Sequence, residues 1–494
     1  MKMVKSLLLG SAAGVVAVAG AQAADLPVKA KPVEYVKVCS LYGAGYYYMP
    51  GSDICIKVGG YVRFQYNVGQ GSSISNGPLT GAGGFNNRIV EPDQAMRTRA
   101  VITVDTRQQT AYGTLRTYLL LGYQQDSTSG PTTSPAVYMT RGFIQIAGFT
   151  FGKATSFFDI YPNATFGYNV GPIATPDTGD AGQMVAAYTA QFGNGWSATI
   201  AAEQSRRTPT VFATGGPYAL GALPTSNNWS SGATLGASPY PDIVGNIRVD
   251  QAWGSVLVAG ALHDASGGYY GTTSATGHPS NKMGWAVTGG FIFNLPMIAP
   301  GDRLAAQANY CEGATRYCAG ANNAGTGIVG WNGGIGYGWI EDSVFGGTAT
   351  TGLNSIELTT AWSVAAGFEH LWTPALRTSI YGSYLKVSHN ANATTLICNS
   401  GTAATSGVTF NTVAGACNVD WSLWALGSRT QWEPVRGLLI GVDVLYQYLN
   451  SASANTVTGT TTVTAGNGLA AGTYTTSNQS AWVGAFRIHR DFLP

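Results

Sequence analysis

Charged side chains in two parts of the chain could act on a dissolved ion or dipole. Three acids lie in one long polar link, at Asp159, Asp177 and Asp180. Basic residues occupy nearby segments of alternating polarity, at Lys57, Arg63, Arg97, Arg99, Arg116 and Arg141. Opposite charges that face each other across water create a transverse field, which orients dipolar solutes and sets a preference among ions. The same residues could instead form ion pairs that join the polar link to the segments of alternating polarity. Both roles, the transverse field and the ion pairs, are compatible.

Patterns typical of catalytic centres are missing from the sequence. Its histidines are scattered, and it contains neither an HExxH nor a GxSxG motif. The stretch 325–330 fits GxGxxG by letter, but it lacks the strand and helix that a dinucleotide site requires. We therefore predict no catalytic residue, no metal site, no cofactor and no enzymatic activity.

Polarity alternates with period two, which indicates strands with one apolar and one wet face. Between Ile56 and Asn67, even positions are apolar or small and odd positions carry the polar groups. The same pattern recurs in sixteen segments. They begin near residues 56, 96, 112, 138, 149, 183, 196, 242, 253, 284, 302, 354, 376, 421, 437 and 479.

The connections between these segments alternate between long and short. A link over 68–95 is followed by one over 107–111, and 154–182 is followed by the tight turn at 193–195. A β-sandwich has no reason to sort its loops in this way, whereas an up-and-down barrel in an outer membrane does. Closure is also required, because hydrocarbon cannot satisfy an open sheet edge. The predicted fold is an all-β, 16-stranded antiparallel transmembrane β-barrel with short periplasmic turns and long external loops.

A barrel of this width encloses water, and side-chain parity assigns the charges to its interior. An arginine that faces lipid near the membrane midplane costs roughly 2–4 kcal/mol, so the six basic residues are expected to point inward. The link 154–182 follows the fifth strand, where a loop that folds inward would narrow the lumen. We predict that it is an inward-folded constriction loop.

The first residues have the features of an export signal. Lys2 and Lys5 precede an apolar run over 7–20 and the cleavage motif Ala21-Gln22-Ala23, which predicts a signal peptide over 1–23. Without these two lysines the 26 basic residues fall to 24, equal to the 24 acids. A neutral mature chain lacks the basic field that nucleic-acid binding requires. The expected location is the outer membrane of a Gram-negative cell, with its lipid as a partner.

The cysteines suit the oxidising compartment that export implies. They form three sequence-local pairs, and we favour a disulfide within each, although six cysteines allow fifteen pairings. The pairs are Cys39 with Cys55, Cys311 with Cys318, and Cys398 with Cys417. The predicted organisation is therefore a signal peptide, an N-terminal segment over 24–55 that holds one pair, and a barrel over 56–494.

Four tryptophans lie at or beside short connections. They are Trp196, Trp253, Trp372 and Trp432. Amphipathic rings favour the boundary between membrane and water, so these positions predict an aromatic girdle at the rim of short turns.

The mature chain is expected to start with Ala24-Asp25-Leu26-Pro27, followed by the stretch 39–48 and a Gly-Gly-Tyr strand in 50–63. With these motifs, and with its end over 487–494, the chain resembles the alphaproteobacterial outer-membrane porin family, the general diffusion porins. It implies a homotrimeric channel for passive diffusion of small hydrophilic solutes and ions, narrowed by its third external loop. By this analogy Asp159 on the loop, and Arg63, Arg97, Arg99 and Arg116 on the wall, are candidates for the eyelet.

Three alternatives stay open at this point. A solute-specific channel could guide sugars along stacked aromatic rings. The long external loops, rich in Ser, Thr and Gly, could serve an adhesin or a phage receptor. An outer-membrane enzyme is the third, and the missing catalytic motifs argue against it. Ion selectivity, solute range and voltage gating are not decided by the sequence.

Overall fold

The chain consists of two compact units, residues 1–56 and 57–494, which are described separately. The computed structural model describes residues 37–69, 94–127, 136–160, 166–168, 182–208, 210–212, 240–269, 274–319, 328–329, 336–338, 340–346, 355–399, 408–409, 418–452, 456–459, 472–475 and 477–492.

The described part of the first unit is a small disulfide-linked turn. A single 3-10 turn over Ser40–Tyr42 leads to the two-residue strand Tyr47–Tyr48, which pairs with Cys55 and Ile56. A disulfide joins Cys39 to Cys55 with a Cα–Cα distance of 6.0 Å. Both cysteines are buried, which confirms the first predicted pair.

Sixteen long strands form the barrel, and each is antiparallel to its neighbours. They are β1 (Cys55–Gly69), β2 (Gln94–Thr110), β3 (Gly113–Asp126), β4 (Ala136–Ile146), β5 (Phe149–Ala154), β6 (Gln183–Gly193), β7 (Trp196–Glu203), β8 (Asp242–Gln251), β9 (Gly254–Asp264), β10 (Met283–Asn294), β11 (Arg303–Glu312), β12 (Thr360–Thr373), β13 (Leu376–Ser388), β14 (Trp421–Val435), β15 (Leu438–Asn450) and β16 (Gln479–Asp491). The last strand pairs with the first, from Tyr61 opposite Asp491 to Gly69 opposite Val483. The sheet is closed, as predicted.

Alternation along each strand separates an apolar outer face from a polar inner face. On β2, Met96 and Ile102 are exposed, whereas the intervening Arg97, Arg99 and Val101 are buried. Outward exposure of large apolar side chains is stable only where the surroundings are themselves apolar. The parity derived from the sequence therefore holds on the strands that carry the basic residues.

Short turns collect at one rim and long connections at the other. Consecutive strands are joined by two residues at 111–112, 147–148, 194–195, 252–253, 374–375 and 436–437. The tightest of these has positive φ at Gly193 (84°), Asn194 (49°) and Gly195 (75°), which glycine and asparagine adopt at least cost. The four tryptophans predicted for this rim are all exposed.

The twelfth strand corrects the predicted boundary. It was expected to begin near residue 354 but begins at Thr360. The preceding Glu357–Leu358 belongs to a separate small sheet, in which Ser343–Phe345 pairs with it and, in parallel, with Thr210–Phe212. Ile356 is 3% exposed and packs with Phe345 instead of facing lipid. Alternation over 355–359 therefore reflects the loop sheet.

The long connections contain the remaining elements. A short helix over Arg316–Ala319 is tied to β11 by the disulfide Cys311–Cys318, with a Cα–Cα distance of 6.2 Å, which confirms the second predicted pair. The side chain of Cys398 and residue Cys417 lie outside the described residues. The other elements are a 3-10 turn (Ser274–Thr276), a helix (Ala391–Asn399), a hairpin (Ile328–Val329 with Gly336–Tyr337) and a sheet of Val408–Thr409, Thr456–Gly459 and Gly472–Thr475. Within the residues given above, no helix has the length and apolarity needed to cross a membrane.

A charge on the outer face should destabilise the barrel. Ile102 is 54% exposed on the outer side of β2, and Ile102→Arg should lower the free energy of unfolding by about 2–4 kcal/mol, because the guanidinium would contact hydrocarbon. Urea titration of protein refolded into phospholipid vesicles would measure the free energy of unfolding, with Ile102→Leu as the control. Equal stability of the two variants would contradict a lipid-facing position.

Candidate functional site

The connection after β5 turns into the barrel at once. The backbone N–H of Phe157 donates to Glu203 Oε1 on β7 at 2.9 Å. Asn246 on β8 donates from Nδ2 to the Phe157 carbonyl at 2.6 Å. Both partners are buried side chains of the inner face, so the root of the connection lies inside the barrel wall rather than over its rim.

The next charged residue of this connection is held in a buried ion pair. Asp159 Oδ2 lies 3.1 Å from Nη2 of Arg206, and each side chain is only 3% exposed. The guanidinium also stacks on Tyr317, with Cζ 4.5 Å from the ring centroid. Burial acts to lower the pKa of Arg206, but Asp159, Tyr317 and Glu203 together raise it above its usual value. Arg206 is therefore charged at neutral pH.

The far part of the connection, over 166–168, contacts the opposite side of the barrel. Ser379 on β13 donates its hydroxyl to the Phe166 carbonyl, and the N–H of Tyr168 donates to the Asp443 carboxylate on β15. Gln431 on β14 donates from Nε2 to the Tyr168 hydroxyl oxygen at 2.9 Å. The root of the connection and its residues 166–168 are thus both fixed to the inner wall.

Alternating charges on neighbouring strands surround Tyr168. Arg487 on β16 lies over its ring at 3.9 Å from the centroid, and Arg429 on β14 lies at 5.4 Å. Arg429 pairs with Glu369 on β12 at 2.6 Å, and Arg303 on β11 pairs with the same carboxylate at 2.8 Å. The two guanidinium groups make cation–π contacts with the Tyr168 ring, and these contacts hold this part of the connection against the inner wall.

The contacts of the connection follow one arc of the barrel. They involve β7 and β8 at its root and β13 to β16 at its far part. These hydrogen bonds and ring contacts do not involve β1 to β4, and within the described residues it is Gly182, at the end of the connection, that lies against Thr140 and Arg141 of β4. Strands β1 to β4 carry the six basic residues of the sequence analysis.

Arg97 and Arg99 lie on the inner face of β2 and contact β3. Arg97 donates to both carboxylate oxygens of Asp126, at 2.5 Å from Nε and 2.6 Å from Nη2. Arg99 donates to Gln124 Oε1 at 2.7 Å from Nη2, and its Cζ lies 5.2 Å from the centroid of Tyr138. The structure therefore brings both arginines to the inner wall, where one is neutralised by an acid and the other meets an amide.

Arg116 belongs to a polar row across four strands. Its Nη2 lies 2.8 Å from Asp105 Oδ2 on β2, and its Nη1 donates to Gln145 Oε1 on β4 at 3.1 Å. Gln145 in turn donates from Nε2 to the Thr150 hydroxyl on β5 at 3.1 Å. The row fixes the guanidinium against the wall.

The other predicted basic residues lie on β1 and β4. Arg63 on β1 lies with Cζ 5.4 Å from the Tyr61 ring, opposite His489 in the register with β16. Arg141 on β4 donates from Nη1 to the Thr140 carbonyl at 2.7 Å. Lys57 is half-buried on β1.

Among the predicted acids, only Asp159 lies within the described residues, and Asp177 and Asp180 lie outside them. Asp159 pairs with Arg206, a residue the sequence analysis did not select, and Tyr168 and Arg487 were missed as well. Parity on β16 could have indicated Arg487, since its neighbours Phe486 and Ile488 have the outward parity. No local pattern links Asp159 to Arg206 or Tyr168 to its arginines.

Two buried histidines hold the connections near the long-loop rim. His263 on β9 contacts Asp242 from Nδ1 at 2.8 Å and Asp342 from Nε2 at 3.2 Å. His389, which follows β13, contacts Glu341 at 2.5 Å and Asp420 at 3.2 Å. Burial acts to lower the pKa of His389, but Glu341 and Asp420 raise it to about 9. The histidinium thus joins two separate connections.

A closed antiparallel barrel with an apolar outer face defines the class of outer-membrane β-barrels. A family model described as a porin subfamily matches residues 25–484, and the chain belongs to that family. The predicted resemblance is thereby confirmed. Family and fold together indicate an outer-membrane location.

Two groups of known proteins are similar to the chain. Porin Omp2b of Brucella melitensis biotype 1 is 36% identical over 265 residues, which cover 51% of this chain and 64% of that porin. Porin Omp2b of Brucella suis biovar 1 has the same identity and coverage. The chain thus spans 64% of the length of these curated relatives. The outer membrane channel DcaP of Acinetobacter baumannii shares the fold, with a TM-score of 0.53 and 12% identity over 90% of this chain and 99% of that one.

Removal of Arg206 should release the root of the inward connection. Arg206→Gln would remove the guanidinium that pairs with the buried Asp159 carboxylate, and loss of one member of a buried ion pair typically costs about 3–5 kcal/mol. We expect faster chymotrypsin cleavage at Phe157 and Phe158 in the folded protein, with the adjacent Arg207→Gln as the control. The double variant Asp159→Asn with Arg206→Gln should recover part of the resistance. Identical cleavage of the two single variants would exclude this anchoring role.

Alkaline pH should loosen the contact made by His389. Because its pKa is raised from 6.5 to about 9, its stabilising contribution is complete below about pH 6.5 and is lost as pH rises through 9. Hydrogen exchange of the helix Ala391–Asn399, corrected for intrinsic rates, should accelerate between pH 7 and pH 10. In His389→Gln the helix should exchange rapidly at both pH values. A wild-type helix that is equally protected at both would refute the role of the histidinium.

Proposed function

We propose that this protein is an outer-membrane porin, which forms a water-filled channel for passive diffusion of small hydrophilic solutes and ions. The observation that carries the proposal is the placement of the connection after β5. Its described residues are fixed inside a closed barrel of sixteen strands, along the arc from β7 to β16. A barrel of that strand number has a lumen too wide for side chains to fill.

The narrowing of the channel is part of this proposal. The connection 154–182 acts as the constriction loop, with Asp159 and Tyr168 as its anchors. Anchors at the root and at Tyr168 support a loop that keeps its place while solutes pass. The free passage then lies between the loop and the wall of β1 to β4, where Arg63, Arg97, Arg99 and Arg116 supply the field. Asp177 and Asp180 belong to the same loop and are proposed to face this wall.

The assembly and the export route are proposed together with the channel. Three copies form a homotrimer, as the family resemblance implies, and residues 1–23 are removed as a signal peptide. The mature chain then comprises the segment 24–55 and the barrel 56–494. The outward apolar side chains are covered by lipid or by neighbouring copies.

Single-channel recording in planar bilayers tests the function. An open trimeric porin gives large, ohmic current steps in groups of three. A small conductance that one sugar blocks would favour a solute-specific channel. Absence of steps from correctly folded protein would exclude diffusion and favour an adhesin or another surface role.

The wall arginines should set the ion preference. Arg97→Gln together with Arg99→Gln removes two positive charges and leaves Asp126 without its partner, so the reversal potential in a KCl gradient should shift toward cations. Lysine at both positions should keep the wild-type reversal potential, because the charge is retained. Arg248→Gln, near the short-turn rim, is the matched control. If the double glutamine variant keeps the wild-type reversal potential, these residues do not belong to the constriction.

A further inference from the structure

A cavity of about 370 Å³ lies between the inner wall of β3 to β5 and the root of the inward connection. Its wall side includes Arg116 and Tyr118 from β3 and Arg141 and Phe143 from β4. Phe157 lines it from the connection. The volume falls within the range of small-molecule sites, so a solute could rest here rather than only pass.

The centre of the cavity wall is an aromatic surface. Tyr118 and Phe143 are direct partners in the register of β3 and β4, and their rings stack at 5.4 Å between centroids with 20° between planes. Phe157 lies on the side of the connection. Aromatic groups on two sides favour a flat apolar body between them.

Two arginines flank the aromatic pair in the register of β3 and β4. Arg116 is paired with Gln145 and Arg141 with Leu120, on either side of Tyr118 and Phe143. The guanidinium of Arg116 lies over both rings, with Cζ 5.3 Å from the Tyr118 centroid and 5.4 Å from the Phe143 centroid. Arg141 also lines the cavity.

The local charge favours an anion. The carboxylate of Asp105 binds two arginines. Its Oδ2 lies 3.2 Å from Nη2 of Arg107 and 2.8 Å from Nη2 of Arg116. Arg107 and Arg116 share this acid, and Arg141 adds a further guanidinium to the cavity lining. A guanidinium binds a carboxylate through two parallel hydrogen bonds, whereas a cation would be repelled and a neutral sugar would gain nothing from the charge.

We propose that this cavity is a binding subsite for small aromatic carboxylates, which occupy it during passage through the channel. The carboxylate would bind Arg141 at the end nearer the connection, and the ring would lie against Phe143 and Tyr118. Arg116 already binds Asp105 and Gln145, so it orients the rings and adds to the field. The proposal rests on the channel function proposed above and names a solute class for it.

Benzoate is the probe, and its binding can be measured separately from conduction. Titration of benzoate onto the detergent-solubilised full-length mature protein by calorimetry should show saturable binding, and it should reduce single-channel current with the same midpoint. Benzamide, which keeps the ring without the charge, and acetate, which keeps the charge without the ring, should both bind at least tenfold more weakly. Equal binding of acetate and benzoate would overturn the aromatic part of the proposal.

Two variants test the residues, and one serves as a matched control. Arg141→Gln and Phe143→Leu should each weaken benzoate binding about tenfold, whereas Arg248→Gln removes the same charge outside the cavity and should leave it unchanged. Phe143→Leu keeps the charge pattern and an apolar side chain, so it remains informative if Arg141→Gln does not fold. Unchanged binding in Phe143→Leu, or no binding to wild type, overturns the subsite. Benzoate binding without any conductance would instead reject the proposed channel and retain the subsite.

Discussion

Backbone hydrogen bonding in a medium without water is the constraint on which this structure depends. Each strand must satisfy its N–H and C=O groups with two neighbours, and the register between β16 and β1 provides the last set. Because closure leaves no edge, all variation is confined to the inner face and to the connections. Solute selection must therefore arise from inward side chains or from a loop that enters the lumen.

Charges inside the barrel are mostly arranged in pairs that hold parts of the chain together. Asp159 with Arg206, and the row of Arg303, Glu369 and Arg429, are buried ion pairs of this kind. A buried pair contributes little to net stability compared with apolar packing, but it strongly penalises any arrangement that separates its members. These pairs thus give the inward connection a defined position, which a passage of constant width requires.

The sequence predicted the barrel well because lipid enforces a simple rule on each strand. Parity alone directed Arg97 and Arg99 inward, and the structure places both on the inner face of β2. The same rule failed around residue 354, because Ile356 alternates within a loop sheet that has its own apolar core. It also could not identify Arg206 as the partner of Asp159, since a contact between two connections depends on how both fold inside the lumen. Local periodicity carries no information of that kind.

The inner wall is asymmetric, and the asymmetry follows from where the inward connection is attached. On the arc that holds the connection, Arg429 faces Glu369, and Asp443 accepts hydrogen bonds from the Tyr168 backbone and the Tyr381 hydroxyl. On the arc of β1 to β4, Arg116 and Arg107 share a single carboxylate. Among the described side chains, interactions that position the loop therefore pair charges on one side of the barrel, whereas arginines outnumber acids on the other. In the proposed channel, displacement of the passage toward the basic arc would make this difference effective, because a field in a low-dielectric wall acts most strongly on solutes that pass close to it.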